Sequence, residues 1–156
     1  MLLTLDEVAV LPAGHPLAAR PVLQLADFAG QPFVSLSADD PYRRLIDTRF
    51  AEAGVARVLR VETHSAAAVC AMVQAGLGLA IVNPLTALAA AGDGNGNGNG
   101  NGDGAGLALR RLAVSIPFSV AALVPLYRPP LPEAAPMLEA LRAEANAVAG
   151  RMALPF

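Results

Sequence analysis

The spacing of apolar and polar positions along the first half of the chain alternates between two patterns, one typical of strands and the other typical of helices. Short apolar runs bounded by Pro, Gly or polar residues predict four buried strands, at residues 7–12, 33–37, 58–62 and 79–82. Longer segments between these runs predict helices, at residues 41–53 and 66–75. Strands that alternate with helices in this way are typical of a parallel α/β sheet.

The helix at residues 41–53 has the clearest boundaries. Asp40 precedes Pro41, so a capping side chain comes directly before a residue whose φ suits the first helical turn. Gly54 is placed to end the helix. The apolar stripe predicted to face the core comprises Tyr42, Leu45, Ile46, Phe50 and Ala53, with Arg43 off that stripe.

A glycine repeat interrupts the second half of the chain, with Gly at every even position from 92 to 106. It offers no apolar side chain larger than Ala, so it is predicted to be a flexible linker; a calcium-binding glycine repeat would need interleaved apolar residues. Strands are predicted at residues 107–114 and 118–126. A helix follows at about 133–148, with its apolar stripe on Met137, Leu138, Leu141, Ala145 and Val148.

Composition and charge exclude several classes of protein. Eleven basic residues, all of them Arg, face thirteen acidic ones, so the net charge is −2 and no cationic cluster suits a nucleic acid. No apolar run reaches the roughly 18 residues that cross a bilayer, and the start of the sequence has no signal-peptide pattern. The single Cys70 excludes an internal disulfide and fits a reducing cytosol. We therefore expect a cytoplasmic protein with no membrane contact.

Candidate catalytic groups are few. His15 lies in a turn between Gly14 and Pro16, and Cys70 lies in an apolar helix, where a small buried side chain is expected. Of the pair Asp39 and Asp40, the second is better explained as a helix cap. The residues thus form no nucleophile–base pair and no metal-ligand spacing, so we expect no catalytic residue, no metal and no cofactor.

Two predicted strand-to-helix junctions are rich in small polar residues, at 35–40 and 63–65. In open parallel sheets, ligands bind outside the carboxyl ends of the strands, and helix N-termini favour anions such as a carboxylate. The predicted ligand-binding residues are Ser35, Ser37, Thr63, His64 and Ser65, with Asn83 a weaker candidate at the neighbouring strand end. The alternative is that these residues serve only as helix caps.

Four stretches, taken in order, resemble one known family. Residues 10–18 end in His-Pro-Leu-Ala, residues 26–34 lead into a strand, and residues 73–82 join a helix to a strand through two glycines. Residues 35–41 with two following arginines, together with residues 83–87, form the fourth. The order of these motifs resembles the effector-binding domain of LysR-type transcriptional regulators, and the fourth is similar to the branch of opine-catabolism and lysine-biosynthesis regulators.

The resemblance implies an α/β fold of the periplasmic-binding-protein type II kind: a Rossmann-like mixed sheet flanked by helices, with one lobe nearly complete and the other partial. The winged helix-turn-helix and about half of lobe one are then expected to lie outside this sequence. The implied division is a remnant of lobe one with a crossing strand at 1–12, lobe two at 13–120, the return strand and closing helix of lobe one at 121–150, and a frayed tail at 151–156.

By the same resemblance, the chain is expected to sense a small amino-acid-like or opine-like carboxylate and to make no DNA contact by itself. A partial lobe should leave strand edges uncovered and produce homo-oligomers, with the exposed apolar edges at Val8, Val10, Val120 and Leu123. A transport solute-binding protein has a similar fold, but the sequence start lacks a signal peptide and a lipidation cysteine. An enzyme on a similar fold is the third alternative.

Overall fold

The computed structural model describes residues 1–92, 106–124, 127 and 131–153. The chain divides into two compact units, one of Met1–Leu5 with the chain from Pro117 onward, and the other of Asp6–Ile116. In chain order the elements are β1 (Leu3–Asp6), β2 (Val8–Pro12), β3 (Val22–Leu23), β4 (Pro32–Leu36), α1 (Pro41–Glu52), β5 (Val58–Thr63), α2 (Ala66–Gln74), β6 (Ala80–Val82), α3 (Pro84–Ala91), β7 (Leu107–Leu112), β8 (Pro117–Val120) and α4 (Ala134–Ala153).

The larger unit is built on a mixed sheet, which confirms the predicted fold class. β4 and β5 pair in parallel, and β4 meets the residue before β6 through a parallel bridge between Phe33 and Leu79. β2 runs antiparallel to both β6 and β7, and β3 lies parallel to β7. The alternation of strands and helices predicts a parallel sheet, which is wrong for β2. The spatial order is β5-β4-β6-β2-β7-β3.

Gly78 allows β6 to begin directly beside β4. A Cβ atom at this position would lie 2.6 Å from the carbonyl oxygen of Pro32. The close approach lets Leu79 N donate to that oxygen at 2.8 Å, and Val34 N donate to Leu79 O at 2.9 Å. Only a residue without a side chain fits here, so Gly78 fixes the lateral position of β6.

An aromatic cluster forms the centre of the larger unit's core. Phe28, Phe33 and Phe50 pack edge to face, with ring centroids 5.7–6.1 Å apart, and the Arg57 guanidinium lies over the rings of Phe33 and Phe50. The core also includes Ala9, Leu11, Leu23, Leu25, Ile46, Leu79, Ile81 and Ile116. The core is therefore aliphatic around a small aromatic centre.

The buried face of α1 differs from the predicted stripe. Ile46 and Phe50 are buried as expected, but the third buried residue is Arg43, and Ala53 is exposed. Tyr42 and Leu45 are only half-buried. The buried face of α1 includes Arg43 because its side chain hydrogen-bonds to acidic and carbonyl groups on neighbouring elements, as described below.

Three further predictions about the elements need correction. β2 is a central strand with Val8 and Val10 buried between two neighbours, so they do not lie at an open edge. Asn83 and Pro84, which follow the predicted strand at 79–82, begin α3, a helix that the sequence pattern did not predict. α4 continues beyond Gly150 to Ala153, although its predicted end was near residue 148.

The remaining differences concern the second half of the chain. β8 ends at Val120, well short of the strand predicted for residues 118–126. On α4 Val148 is buried, but Met137 and Leu141 are exposed despite their place in the predicted stripe. The predicted flexible linker falls outside the described residues, apart from Gly92 and Gly106 at its ends. Within the described part of the chain, no helix is both long and apolar enough to cross a membrane.

Candidate functional site

The two polar junctions meet at one edge of the sheet. Leu36 and Thr63 are register partners at the carboxyl ends of β4 and β5, and Ser37 N donates to Thr63 O at 2.9 Å. The chain then enters α1 after Asp40 and α2 after Ser65. Because β4 and β5 are parallel, both helices begin at the same edge.

Ser37 connects the two junctions through its side chain. Its hydroxyl donates to Asp39 Oδ1 at 2.5 Å, and its oxygen lies 2.8 Å from His64 Nδ1. A hydroxyl has one proton, so the imidazole Nδ1–H is the donor to Ser37 Oγ. The hydrogen bond from Ser37 is the largest of the effects that hold the pKa of the Asp39 carboxyl below its ordinary value. Asp39 and His64 are both largely exposed, so this chain of contacts faces solvent.

The other residues predicted for the site have more local roles. Ser65 Oγ accepts from Ala68 N at 3.3 Å and caps α2, while Thr63 Oγ1 accepts from Ser65 N at 3.4 Å. Asn83 Oδ1 accepts from Thr86 N at 2.9 Å and caps α3 at the end of β6, on the same sheet edge. Ser35 is buried within β4. The structure thus brings Ser37, Thr63 and His64 into one cluster, with two of the remaining residues acting as caps.

Arg43 supports the site from the buried face of α1, whereas its sequence position predicted a solvent-facing side chain. Its Nη1 donates to Leu36 O at 2.7 Å and to Glu62 Oε1 at 2.6 Å, and its Nε donates to Asp47 at 2.8 Å. These bonds tie the first turn of α1 to the ends of β4 and β5. The spacing of positions 43, 46 and 50 could have indicated a shared face, but the charge of Arg43 argued for solvent.

Glu7 is a second buried charged residue near this edge, and it is not among the predicted site residues. It precedes β2, is 2 % exposed, and its Oε2 has no hydrogen-bond partner among the described residues. Burial, assisted by the negative charge of Asp40, raises the pKa of the Glu7 carboxyl to about 8. Its position two residues before Ala9 in an otherwise apolar run was the available indication that it faces inward.

The arrangement is suited to binding. Three helices begin at the carboxyl edge of the sheet, where their N-termini favour anionic groups, and the serine, threonine and histidine side chains add hydrogen-bonding groups. The Ser37 proton already points to Asp39, so His64 is not placed to remove it as a general base would. Cys70 is buried, and burial raises its thiol pKa to about 11, which confirms its prediction as a buried apolar-type side chain.

Sequence comparisons connect the chain to one family. A family model described as the LysR substrate binding domain matches residues 2–96. The transcriptional activator protein LysR of Escherichia coli K12 is 51 % identical over 128 residues, which cover 82 % of this chain and 37 % of that protein. The regulatory protein NocR of Agrobacterium tumefaciens T37 is 32 % identical over 80 residues, which cover 51 % of this chain and 27 % of that protein. The chain therefore spans about a third of the length of these relatives.

Structural comparisons agree on the fold. HinK, a LysR family transcriptional regulator from Pseudomonas aeruginosa, matches with a TM-score of 0.64 at 21 % identity over 92 % of this chain and 47 % of its own. The Synechocystis CcmR regulatory domain in complex with 2-PG matches with 0.64 at 15 % identity, covering 92 % and 64 %. The effector-binding domain of QuiR in complex with shikimate matches with 0.60 at 17 % identity, covering 94 % and 64 %.

Proposed function

The chain belongs to the LysR substrate-binding domain family, and from this premise we propose that it senses a small amino-acid-like or opine-like carboxylate. The proposed site is the carboxyl edge of β4 and β5, with Ser37, Thr63 and His64 at its centre. Ser35, Ser65 and Asn83 complete the proposed set. We assign to this site the binding of the ligand and no catalytic step.

The contacts between the two junctions support the choice of site. The Ser37 N to Thr63 O hydrogen bond and the contact between Ser37 Oγ and His64 Nδ1 hold the starts of two helices side by side. The first-turn N–H groups of α1 already donate to Asp40, and Pro41 has none. A carboxylate bound there could accept from the backbone N–H groups of Ala66 and Ala67 in the first turn of α2 and interact favourably with the dipole of that helix. Each such hydrogen bond contributes about 0.5–1.5 kcal/mol net, so several are needed for useful affinity.

Related structures support a small-molecule ligand. The CcmR regulatory domain is described in complex with 2-PG and the QuiR domain in complex with shikimate, which carries a carboxylate. Both domains share the fold of this chain, and neither is close enough in sequence to transfer contacts residue by residue. They support the class of ligand, while the choice of an amino-acid-like compound rests on the sequence motifs.

The proposed mechanism is a shift in population. A ligand that binds one arrangement of the protein more tightly than another biases the equilibrium by its difference in affinity, and the DNA-binding parts of an intact regulator respond. We propose that this chain provides the sensing step within the cytoplasm. With a net charge of −2 and no cationic cluster, it is not expected to bind DNA specifically by itself, and a gel-shift titration tests this.

Self-association is part of the same proposal. Leu123 and Tyr127 are almost fully exposed, and Val58 and Leu59 expose more than two fifths of their surface on β5. Exposed apolar side chains of this kind favour association. We expect homo-oligomers in light scattering, and a monomer at high protein concentration would contradict this expectation.

Two alternative functions are less favoured. A transport solute-binding protein shares the fold, but two relatives that match this chain are a transcriptional activator and a regulatory protein. An enzyme would need an activated nucleophile or base, and the Ser37 contacts do not provide one.

Titration by nuclear magnetic resonance tests the proposed site. The labelled chain is titrated with the common amino acids and with simple carboxylic acids, and backbone amide shifts are followed. We expect the largest changes at residues 35–40 and 63–66. Saturable changes confined to other parts of the chain would reject this site, and no saturable change with any compound would reject the sensing function.

A further inference from the structure

A cleft of about 380 Å³ lies between α1 and the chain that leads from it into β5. Its polar lining consists of Arg43, Asp47 and Arg57, and its apolar lining includes Phe50 and Leu59. Sites for small molecules typically have volumes of about 300–1,000 Å³. The cleft is therefore large enough for a small organic ligand.

The cleft is separate from the proposed site at the carboxyl edge of the sheet. Leu59 is the second residue of β5 and pairs with Phe33, the second residue of β4, whereas Thr63 ends β5 at the opposite edge. At about 3.3 Å per residue, the chain from Leu59 to Thr63 spans roughly 13 Å. Ser37, Thr63 and His64, all in the described part of the chain, do not line the cleft.

The two arginines of the cleft share one carboxylate. Asp47 Oδ1 accepts from Arg43 Nε at 2.8 Å and from Arg57 Nη2, and Asp47 Oδ2 accepts from Arg43 Nε at 2.8 Å. Glu62 also pairs with Arg43, but it does not line the cleft. The groups that line the cleft therefore carry one positive charge in excess.

Both guanidinium groups retain donors without acceptors. Arg57 Nη1 is buried and has no hydrogen-bond partner among the described residues. Arg43 donates through Nε and Nη1, and no hydrogen bond within the described part of the chain uses its Nη2. A buried charged donor without an acceptor is costly, and an acceptor from outside the chain relieves that cost. An anion matches these donors best, because hydrogen bonds between two charged groups are the strongest.

The aromatic cluster holds Arg57 at the wall of the cleft. Its guanidinium carbon lies 4.7 Å from the ring centroid of Phe33 and 4.1 Å from that of Phe50, and the side chain is 12 % exposed. A guanidinium group restrained in this way loses little conformational freedom when it binds an anion. The cleft thus offers a pre-organised cation.

The remaining lining of the cleft is apolar. Phe50 is buried, Val55 is half-buried, and Leu59 exposes 43 % of its surface. Ala51 and Ala56 contribute only small side chains. Covering Leu59 with a hydrocarbon group would remove apolar surface from water, which is favourable. A ligand that suits both parts of the cleft has an anionic end and a short apolar chain.

We propose that this cleft is a second binding site, which takes a small organic carboxylate with a short hydrocarbon chain. The carboxylate pairs with the free donors of Arg43 and Arg57, with a small turn of the Arg57 guanidinium presenting Nη1 to it. The hydrocarbon chain covers Val55 and Leu59. This inference is independent of the ligand proposed for the carboxyl edge of the sheet.

Straight-chain carboxylates test the proposal on the isotope-labelled full chain. Acetate, butanoate and hexanoate are titrated while backbone amide shifts are followed by nuclear magnetic resonance. We expect saturable changes at residues 43–59, with affinity rising about two- to fourfold for each added methylene, because each one buries apolar surface. Hexanamide, which has nearly the same shape but no charge, should bind at least about tenfold more weakly.

Paired variants locate the site. Ala51→Glu places a carboxylate in the cleft from an exposed helix position and should weaken hexanoate binding at least about tenfold, whereas Ala53→Glu, exposed outside the cleft, should preserve it. Arg57→Met should remove the preference for hexanoate over hexanamide, and Arg49→Met should retain it. The Ala51 and Ala53 pair decides the matter should Arg57→Met fail to fold. Ser37→Ala should leave the changes at residues 43–59 as they are.

Three results would overturn the proposal: no saturable change at residues 43–59, equal binding of hexanoate and hexanamide, or equal binding of hexanoate by Ala51→Glu and Ala53→Glu. Loss of self-association in Ala51→Glu, without carboxylate binding by the unaltered chain at these residues, would instead assign the cleft to a second copy of the chain. That outcome would overturn the proposal as well. The sensing function is judged separately, from the changes at residues 35–40 and 63–66.

Discussion

The stability of the chain should depend on pH through Glu7. Burial raises the pKa of this carboxyl from 4.5 to about 8 in the folded chain. Between these values the unfolded chain releases the proton and the folded chain retains it. The free energy of unfolding should therefore fall as pH rises, by about 1.4 kcal/mol per pH unit and by on the order of 5 kcal/mol in all. This is a large part of the stability of a typical domain, about 5–15 kcal/mol.

Substitution Glu7→Gln removes this dependence, because the amide is uncharged in both states. The chain has no Trp, so urea unfolding is followed by circular dichroism at several pH values between about 5 and 8. The variant and the unaltered chain should be similar in stability at the acidic end, and the variant should be clearly more stable at the alkaline end. Glu52→Gln retains the Glu7 carboxyl and should show the same pH dependence as the unaltered chain.

The difference in unfolding free energy between the unaltered chain and Glu7→Gln isolates the Glu7 contribution, since all other ionisable groups are common to both. A difference that stays constant across this pH range would contradict this prediction. It would show that Glu7 ionises in the folded chain as it does in the unfolded one, and hence that it is not both buried and unpartnered in solution.

Three further predictions concern the framework. Gly78→Ala should destabilise the chain by about 1–3 kcal/mol in urea unfolding, because the added Cβ meets Pro32 O; unchanged stability would contradict the close approach. Arg43→Met should cost about 2 kcal/mol, since Glu62 and Leu36 O lose their common donor; a cost below about 0.5 kcal/mol would mean that these bonds do not matter. The Cys70 thiol should react with a thiol reagent only upon unfolding, because it is buried and its pKa is raised to about 11; rapid reaction of the folded chain would be the opposite result.

Local sequence patterns predicted helix starts correctly where a capping residue stood directly before a helical spacing of apolar residues. Asp40 and Pro41 begin α1 as predicted, and Ser65 begins α2, because capping depends on a few neighbouring residues. Parallel strands joined by a helix, as β4 and β5 are by α1, have their carboxyl ends at the same sheet edge, and this brings Ser37 beside Thr63. The fold class and the clustering of the two junctions were therefore accessible from sequence.

Features that depend on distant partners were not accessible. Arg43 is buried because Glu62, nineteen positions away, lies within reach of it. The position of Glu7 in the run of residues 7–12 indicates an inward face, but its near-complete burial depends on β2 lying between β6 and β7 in the middle of the sheet, which the local pattern does not reveal. α3 was missed because its start, Asn83 and Pro84, is equally typical of a turn, and tertiary packing selects between the two.

Calorimetric titration of the site variants is the most direct test of whether Ser37 and Thr63 bind the effector. The amino acid that binds most tightly is titrated into the unaltered chain, Ser37→Ala and Thr63→Val. Thr48→Val on α1 is the control, since the Thr48 hydroxyl donates to Arg44 O in its own helix. We expect affinity losses of roughly two- to tenfold for each site variant, with unchanged melting temperature and no loss for the control. Full affinity in both site variants would mean that Ser37 and Thr63 are only structural residues of two helix junctions.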